Sequence, residues 1–225
     1  MLSDFFEKVL TIPTSRFIFA PQMKQTARQK VIDAAQQLMT SRGYSATTVD
    51  EIVKLAGVAK GSFYHAFQSK EELAIAALED YEDKGWALVS NGPYVTIEDP
   101  VERALAFVQF IEDKSADLWS HGCLLGSVSI EVAHSYPNVI KRIDELFDEF
   151  ENGMEVILSP ALEARGVTSV TGKDLSIHFL AVIEGSIITA KSHFNQRYLS
   201  DGIARFKHYL NLLLAEKQKV VEIKR

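Results

Sequence analysis

The chain has 225 residues, a single cysteine, a formal net charge of −6, and hydrophobic residues at 47% of its positions. That length supports a sizeable core in one large or two small domains. One cysteine excludes an internal disulfide, and no apolar run approaches the ~18 residues of a membrane helix. The N-terminus lacks the ordered charged, apolar and small-residue segments of a secretory signal, so a cytoplasmic setting without membrane contact is expected.

Residues 1–22 show no sustained period. Phe5, Phe6, Val9, Leu10, Ile12, Phe17, Ile18 and Phe19 are interrupted by Pro13 and Pro21. From Thr26 the chain reads as a helix, with Val31, Ala34, Ala35, Leu38 and Met39 on one face and Gly43 closing it. Val49, Ile52, Val53 and Leu55 give a second, short helix an apolar face, ended by Gly57. A third runs roughly from Lys60 to His65 after only Val58 and Ala59. Ser69, with Glu71 and Glu72 in the first turn, opens a long helix toward Trp86.

Two short helices joined by a tight Gly-containing turn form the shape that lays its second helix in the DNA major groove. The charge pattern agrees. Between Met23 and Lys70, seven basic residues stand against three acidic ones, a net +4, and residues 1–22 cancel. Residues 71–225 therefore carry −10. A basic head on an acidic body is an electrostatic footprint aimed at phosphate. Lys60, Ser62, Tyr64, His65 and Lys70 are hydrogen-bond donors suited to phosphate oxygens and base edges.

Residues 24–73 resemble the DNA-binding domain of the TetR family of bacterial repressors. The resemblance rests on Gly43, Tyr44, Thr47, Thr48, Val49, Ile52, Ala56, Gly57, Val58, Lys60 to His65, Phe67, and Ser69 to Leu73. Ala66 departs from it, because an aromatic residue is common there. The resemblance implies a helix-turn-helix domain over 23–70 and an effector-sensing and dimerisation domain over 71–225. It also bears on the start. Family members begin a few residues before the first helix, so residues 1–22 read as a start placed too early (the preferred reading) or as a genuine arm. Lys60, Gly61, Ser62, Tyr64 and His65 are assigned to the recognition helix, with Thr47, Thr48 and Lys70 mainly to phosphate. Phe63 and Phe67 read as core.

Beyond the head, Asn91-Gly92-Pro93 reads as a loop, and Asp99-Pro100 as an N-cap with proline at the first helical position. Helices are expected from Val101 to about Trp119, Leu124 to His134, and Asn138 to Arg165, the last with Gly153 and Pro160 as kink sites. Two more are expected, from Asp174 to about Arg197 and from Ser200 to about Gln218. The fold class is all-α, with about nine helices. The last two are apolar on more than one face, which calls for cover on more than one side. The family resemblance implies the same cover, a homodimer through a four-helix bundle. Such a dimer would set two recognition helices on a near-palindromic operator.

The segment His121 to Ser127, with Glu131 after it, resembles the G-C-L-L-G motif of one TetR subgroup, and Glu184 to Lys191 a second stretch found there. Some of these repressors respond to electrophiles or oxidants. At a helix start, backbone N–H groups and the helix dipole favour the thiolate of Cys123, and Lys191, if near, would stabilise it. The competing reading makes Cys123 a small buried hydrophobe. A reversible small-molecule effector is the rival inducer, with Phe107, Phe110, Trp119, Phe147, Phe150 and His178 as lining candidates; an aromatic stripe at helical spacing is also what ordinary core looks like. His178 reads as a hydrogen-bonded core histidine. No metal-ligand spacing, phosphate loop or nucleophile elbow is present, so neither a cofactor nor catalysis is expected. A non-specific DNA-associated adaptor is the alternative in a different class, which the acidic body disfavours.

Overall fold

A computed structural model describes residues 25–119 and 121–215. The segment 1–22 and the expected end of the last helix near Gln218 lie outside these residues. Among the described residues there are nine α-helices, one short 3₁₀ turn and no strand.

Side-chain caps fix most helix starts. Thr26 accepts a hydrogen bond from the Gln29 N–H and opens α1 (Ala27–Arg42). The chain leaves α1 at Gly43, whose φ of 92° is one that β-carbon-bearing residues avoid. Thr48 and Glu51 form a reciprocal capping box at the start of α2 (Val49–Ala56). Gly57, left-handed at φ 64°, stops α2 and donates its N–H to the carbonyls of Val53 and Lys54. After two residues α3 (Lys60–Ala66) begins, without a side-chain cap. Ser69 accepts from the Glu72 N–H and opens α4 (Lys70–Val89). Only part of the expected α2 face is inward: Ile52 and Val53 are buried, but Leu55 is 46% exposed.

Asn91-Gly92 leads into a 3₁₀ turn, Pro93–Thr96, rather than a plain loop, and buries Tyr94. Asp99 Oδ1 accepts from the Glu102 N–H at 2.8 Å at the head of α5 (Pro100–Trp119). Then follow α6 (Leu124–Val132) and α7 (Pro137–Arg165), which runs unbroken through Pro160. A Thr171–Asp174 capping box starts α8 (Gly172–Ser192) two residues before the expected start. α8 also stops five residues short of the expected Arg197. There the chain turns through Phe194, the one described non-glycine residue with positive φ, into α9 (Arg197–Ala215).

The helices fall into two compact units. The first combines α1 to α4 with α6 and the part of α7 up to Leu146. Its core includes Val31, Ile32, Ala35, Met39, Ile52, Phe63, Leu73, Leu78, Leu124 and Ile143, all at most 1% exposed. α1 and α4 are also joined by polar groups. Asp80 accepts from the side-chain amides of Gln29 at 2.9 Å and Gln36 at 2.8 Å, and pairs with Lys84 at 2.6 Å. The second unit combines the 3₁₀ turn, α5, the remainder of α7, α8 and α9. Phe179 of α8 stacks on Phe206 of α9 at 4.5 Å, and Phe107 of α5 meets Phe179 edge-on at 6.3 Å. Lys207 of α9 bonds the Glu112 carboxylate at 2.6 Å and the Gln109 amide oxygen.

Candidate nucleic-acid interface and effector residues

The helix-turn-helix is built as its local signals require. Phe63, fully buried, and Phe67, 2% exposed, anchor α3 from within. Arg28 of α1 lies over the Phe67 ring at 5.1 Å, a cation–π contact holding the end of α3 against α1. With those side chains turned in, the opposite face of α3 presents Lys60, Gly61, Tyr64 and His65 to solvent, and Ser62 is half-buried. Tyr64 is 57% exposed, and its ring meets the Phe63 ring edge-on at 5.1 Å. An aromatic residue so placed is held ready at the surface, not buried for stability.

Lys60 is paired with Asp50 of α2 at 2.7 Å. The hydrogen bond and charge of Asp50 raise the Lys60 ammonium above its ordinary value. Both partners are well exposed, so the pair is weak and gives way easily to a stronger anion such as phosphate. Thr48 is exposed at the N-terminus of α2, where its N–H and hydroxyl both donate to the Glu51 carboxylate, at 3.0 and 2.8 Å.

Two residues expected at phosphate sit differently. Thr47 is fully buried, and its hydroxyl donates to the Gly43 carbonyl at 2.7 Å. Lys70 donates to the carbonyls of Tyr44 and Thr47, each at 3.0 Å, with its ammonium 4.1 Å over the Tyr44 ring. Burial lowers its proton affinity and the charge of Glu131 works against that shift. Both side chains thus brace the turn between α1 and α2. A third bracing residue had no sequence signal for such a role: Glu131 of α6 accepts from the Tyr44 N–H at 2.9 Å and the Ser45 N–H at 2.8 Å.

Cys123 occupies the N-cap of α6, and its Sγ accepts from the Gly126 N–H at 3.5 Å. It is 6% exposed. Lys191 is exposed near the end of α8, in the second unit. Of the lining candidates, Phe107 is fully buried core against Tyr94 and Phe179. Phe110, Trp119, Phe147 and Phe150 are half-buried. His178 is not a core histidine: it is exposed and lies edge-on to Phe206 at 5.3 Å and Tyr209 at 5.4 Å. With Gly185, Ser186, Gly202 and Arg205 it lines an open groove of about 500 Å3 between α8 and α9. Around that groove Ile177, Ile188, Tyr209 and Leu212 are 37–56% exposed. Among the described residues no group of three or more His, Cys, Asp or Glu is placed to hold a metal ion.

The fold and the exposed face of α3 define a helix-turn-helix DNA-binding protein. Residues 31–77 match the tetR family of bacterial regulatory proteins, and residues 100–204 match the C-terminal domain of LmrA/YxaF-like transcriptional regulators. The chain is 31% identical to the HTH-type transcriptional regulator YxaF of Bacillus subtilis over 167 residues, covering 66% of this chain and 87% of the relative. It is 28% identical to the transcriptional repressor DhaR of a Mycobacterium species over 177 residues, 76% of this chain and 86% of the relative. A solved regulatory protein TetR from Rhodobacter sphaeroides superposes with a TM-score of 0.72 at 25% identity, covering 82% of this chain and 99% of that one. The chain belongs to the TetR family of transcriptional regulators and is a DNA-binding regulator, not an enzyme.

Proposed function

We propose that the protein is a homodimeric repressor that holds a near-palindromic operator through α3 and leaves it when its body is modified or liganded. The observation that carries the reading is the solvent face of α3, where Lys60, Tyr64 and His65 stand exposed on a helix anchored from behind by Phe63 and Phe67. Lys60, Gly61, Ser62, Tyr64 and His65 are assigned to the major groove, and Thr48 to phosphate at the start of α2. Thr47 and Lys70 serve the same surface indirectly, by fixing the turn before α2. The head is taken as residues 23–70.

The exposed stripes of α8 (Ile177, Ala181, Ile188) and α9 (Tyr198, Arg205, Tyr209, Leu212) support a two-fold dimer. Patches of this kind mark interaction surfaces. Release is assigned to modification of Cys123 or to a small-molecule effector. In favour of the thiol stands its position at the N-terminus of α6, where the helix dipole favours thiolate. A shift in body conformation acts on DNA only through its different affinity for the two head arrangements. DNA fragments selected by the purified protein from a random pool should share a palindrome and survive an excess of random competitor. Loss of binding to competitor would mark a non-specific DNA-associated protein instead. Treatment with N-ethylmaleimide should release the operator from the parent and not from Cys123→Ala; the same result for both, release or none, removes the thiol as the switch and leaves the reversible ligand to be tested directly.

A further inference from the structure

The turn from Gly43 to Thr47 connects α1 to α2, the first helix of the helix-turn-helix, and it has no regular structure of its own. Charged groups hold it from two elements. Lys70 takes two of its carbonyls, those of Tyr44 and Thr47. Glu131, 86 residues further along the chain than Ser45, takes two consecutive N–H groups, those of Tyr44 and Ser45, one on each carboxylate oxygen. A carboxylate suits this arrangement. It gives each of the two adjacent N–H donors its own acceptor oxygen, and only an ionised Asp or Glu side chain offers two such oxygens with no donor beside them. It also needs glycine at 43: a Cβ there would lie 2.0 Å from Glu131 Oε1, and the φ of 92° disfavours any side chain.

We propose that Glu131 is a positioning residue for operator binding: it sets the turn, the turn sets the start of α2, and α2 sets α3. Glu131 and Ser45 are exposed, so water reaches the Ser45 N–H when the carboxylate is removed, and the fold loses little. What is lost is the single arrangement of the head that meets DNA. Glu131 stands near the end of α6, a helix of nine residues whose N-cap is Cys123. A change at the start of that rod is therefore delivered directly to the turn. The proposal rests on α3 being the DNA reader, and it holds whichever effector acts on the body.

The test uses the full-length protein and an operator selected from a random DNA pool. Glu131→Gln replaces one acceptor with an amide NH2 that faces a donor, and Glu131→Ala removes both acceptors. In both variants thermal stability and dimerisation are expected to match the parent, while exchange of the Tyr44 and Ser45 amides speeds up at least tenfold. Operator affinity is expected to fall about tenfold at an unchanged salt slope, since Glu131 neutralises no phosphate. Gly43→Ala displaces the carboxylate from the other side, and its effect on affinity should shrink in the Glu131→Ala background. Unchanged amide exchange overturns the latch. Faster exchange with operator affinity within twofold of the parent overturns its positioning role. A parent with no operator preference sinks both the reading of α3 and this role. The exchange measurement, which needs no DNA, tells that result apart from a failed latch.

Discussion

Replacing Gly57 with alanine probes the turn at the heart of the helix-turn-helix. Gly57 is left-handed at φ 64°, and a Cβ placed there meets nothing within 4 Å. The cost of Gly57→Ala is therefore the local clash of Cβ with its own backbone and no clash with the rest of the molecule, about 1–2 kcal/mol for an L-residue in this region. At roughly 2–4 °C per kcal/mol for a chain of this size, the melting temperature should fall by about 2–8 °C. Asparagine tolerates the left-handed region better, so Gly57→Asn should cost less than alanine. Gly85→Ala supplies the opposite sign. That glycine lies inside α4 with open space around its Cβ and no positive φ, so alanine should stabilise by about 0.5–1 kcal/mol. Calorimetry on the three variants and the parent, at one protein concentration, gives the answer. Equal melting for Gly57→Ala and the parent, or equal losses for Gly57→Ala and Gly57→Asn, would refute the left-handed turn.

Three further outcomes are expected. Asp50→Asn removes the anion that holds Lys60, so operator affinity in low salt should rise a few-fold, and fluorescence anisotropy over a salt series checks it. Ile188→Glu combined with Leu212→Glu places charge on both exposed stripes of α8 and α9, each more than half exposed in the single chain. Sedimentation should then show one subunit and operator binding should collapse; a variant that remains dimeric moves the interface elsewhere. Burial pushes the Asp33 carboxyl up, but hydrogen bonds from Lys84, Gln29 and Gln25 outweigh it and leave the group below its ordinary value of 3.8. Its contribution is therefore present above pH 3.8 and lost as pH falls through the lower folded value. Asp33→Asn should destabilise at neutral pH, and in acid urea titrations the gap to the parent should close.

The head was legible because its signals are local. Thr26, Thr48 and Ser69 cap their helices through bonds to residues three positions on, as Asp99 does outside the head, and Gly43 and Gly57 stop theirs through their own dihedrals. The family resemblance added the role proposed for the exposed face. Most of what escaped was set by partners far along the chain. Lys70 turns back to the carbonyls of Tyr44 and Thr47, 26 and 23 residues earlier. The Thr47 hydroxyl reaches only to the Gly43 carbonyl, four residues back, but a polar residue at a helix entry signals an exposed site as readily as this buried one. Glu131 needs the fold to bring α6 against the α1–α2 turn. The end of α8 was misplaced because Ser192 to Arg197 holds neither proline nor glycine, and Phe194 makes the turn with a left-handed backbone instead. His178 lies on an apolar helix, but on the side that the single chain leaves uncovered.

The Asp80 cluster has a practical consequence for building hybrid regulators. One carboxylate on α4 collects Gln29 and Gln36 from α1 together with Lys84 of its own helix, so α1 cannot tilt on α4 without stripping the two glutamine donors from it. A splice at Lys70, attractive because the motif ends nearby, would set a foreign α4 beneath this α1 and leave its two glutamines without their acceptor. Transplanted DNA specificity therefore has to travel with the whole of α4, as far as Ser90.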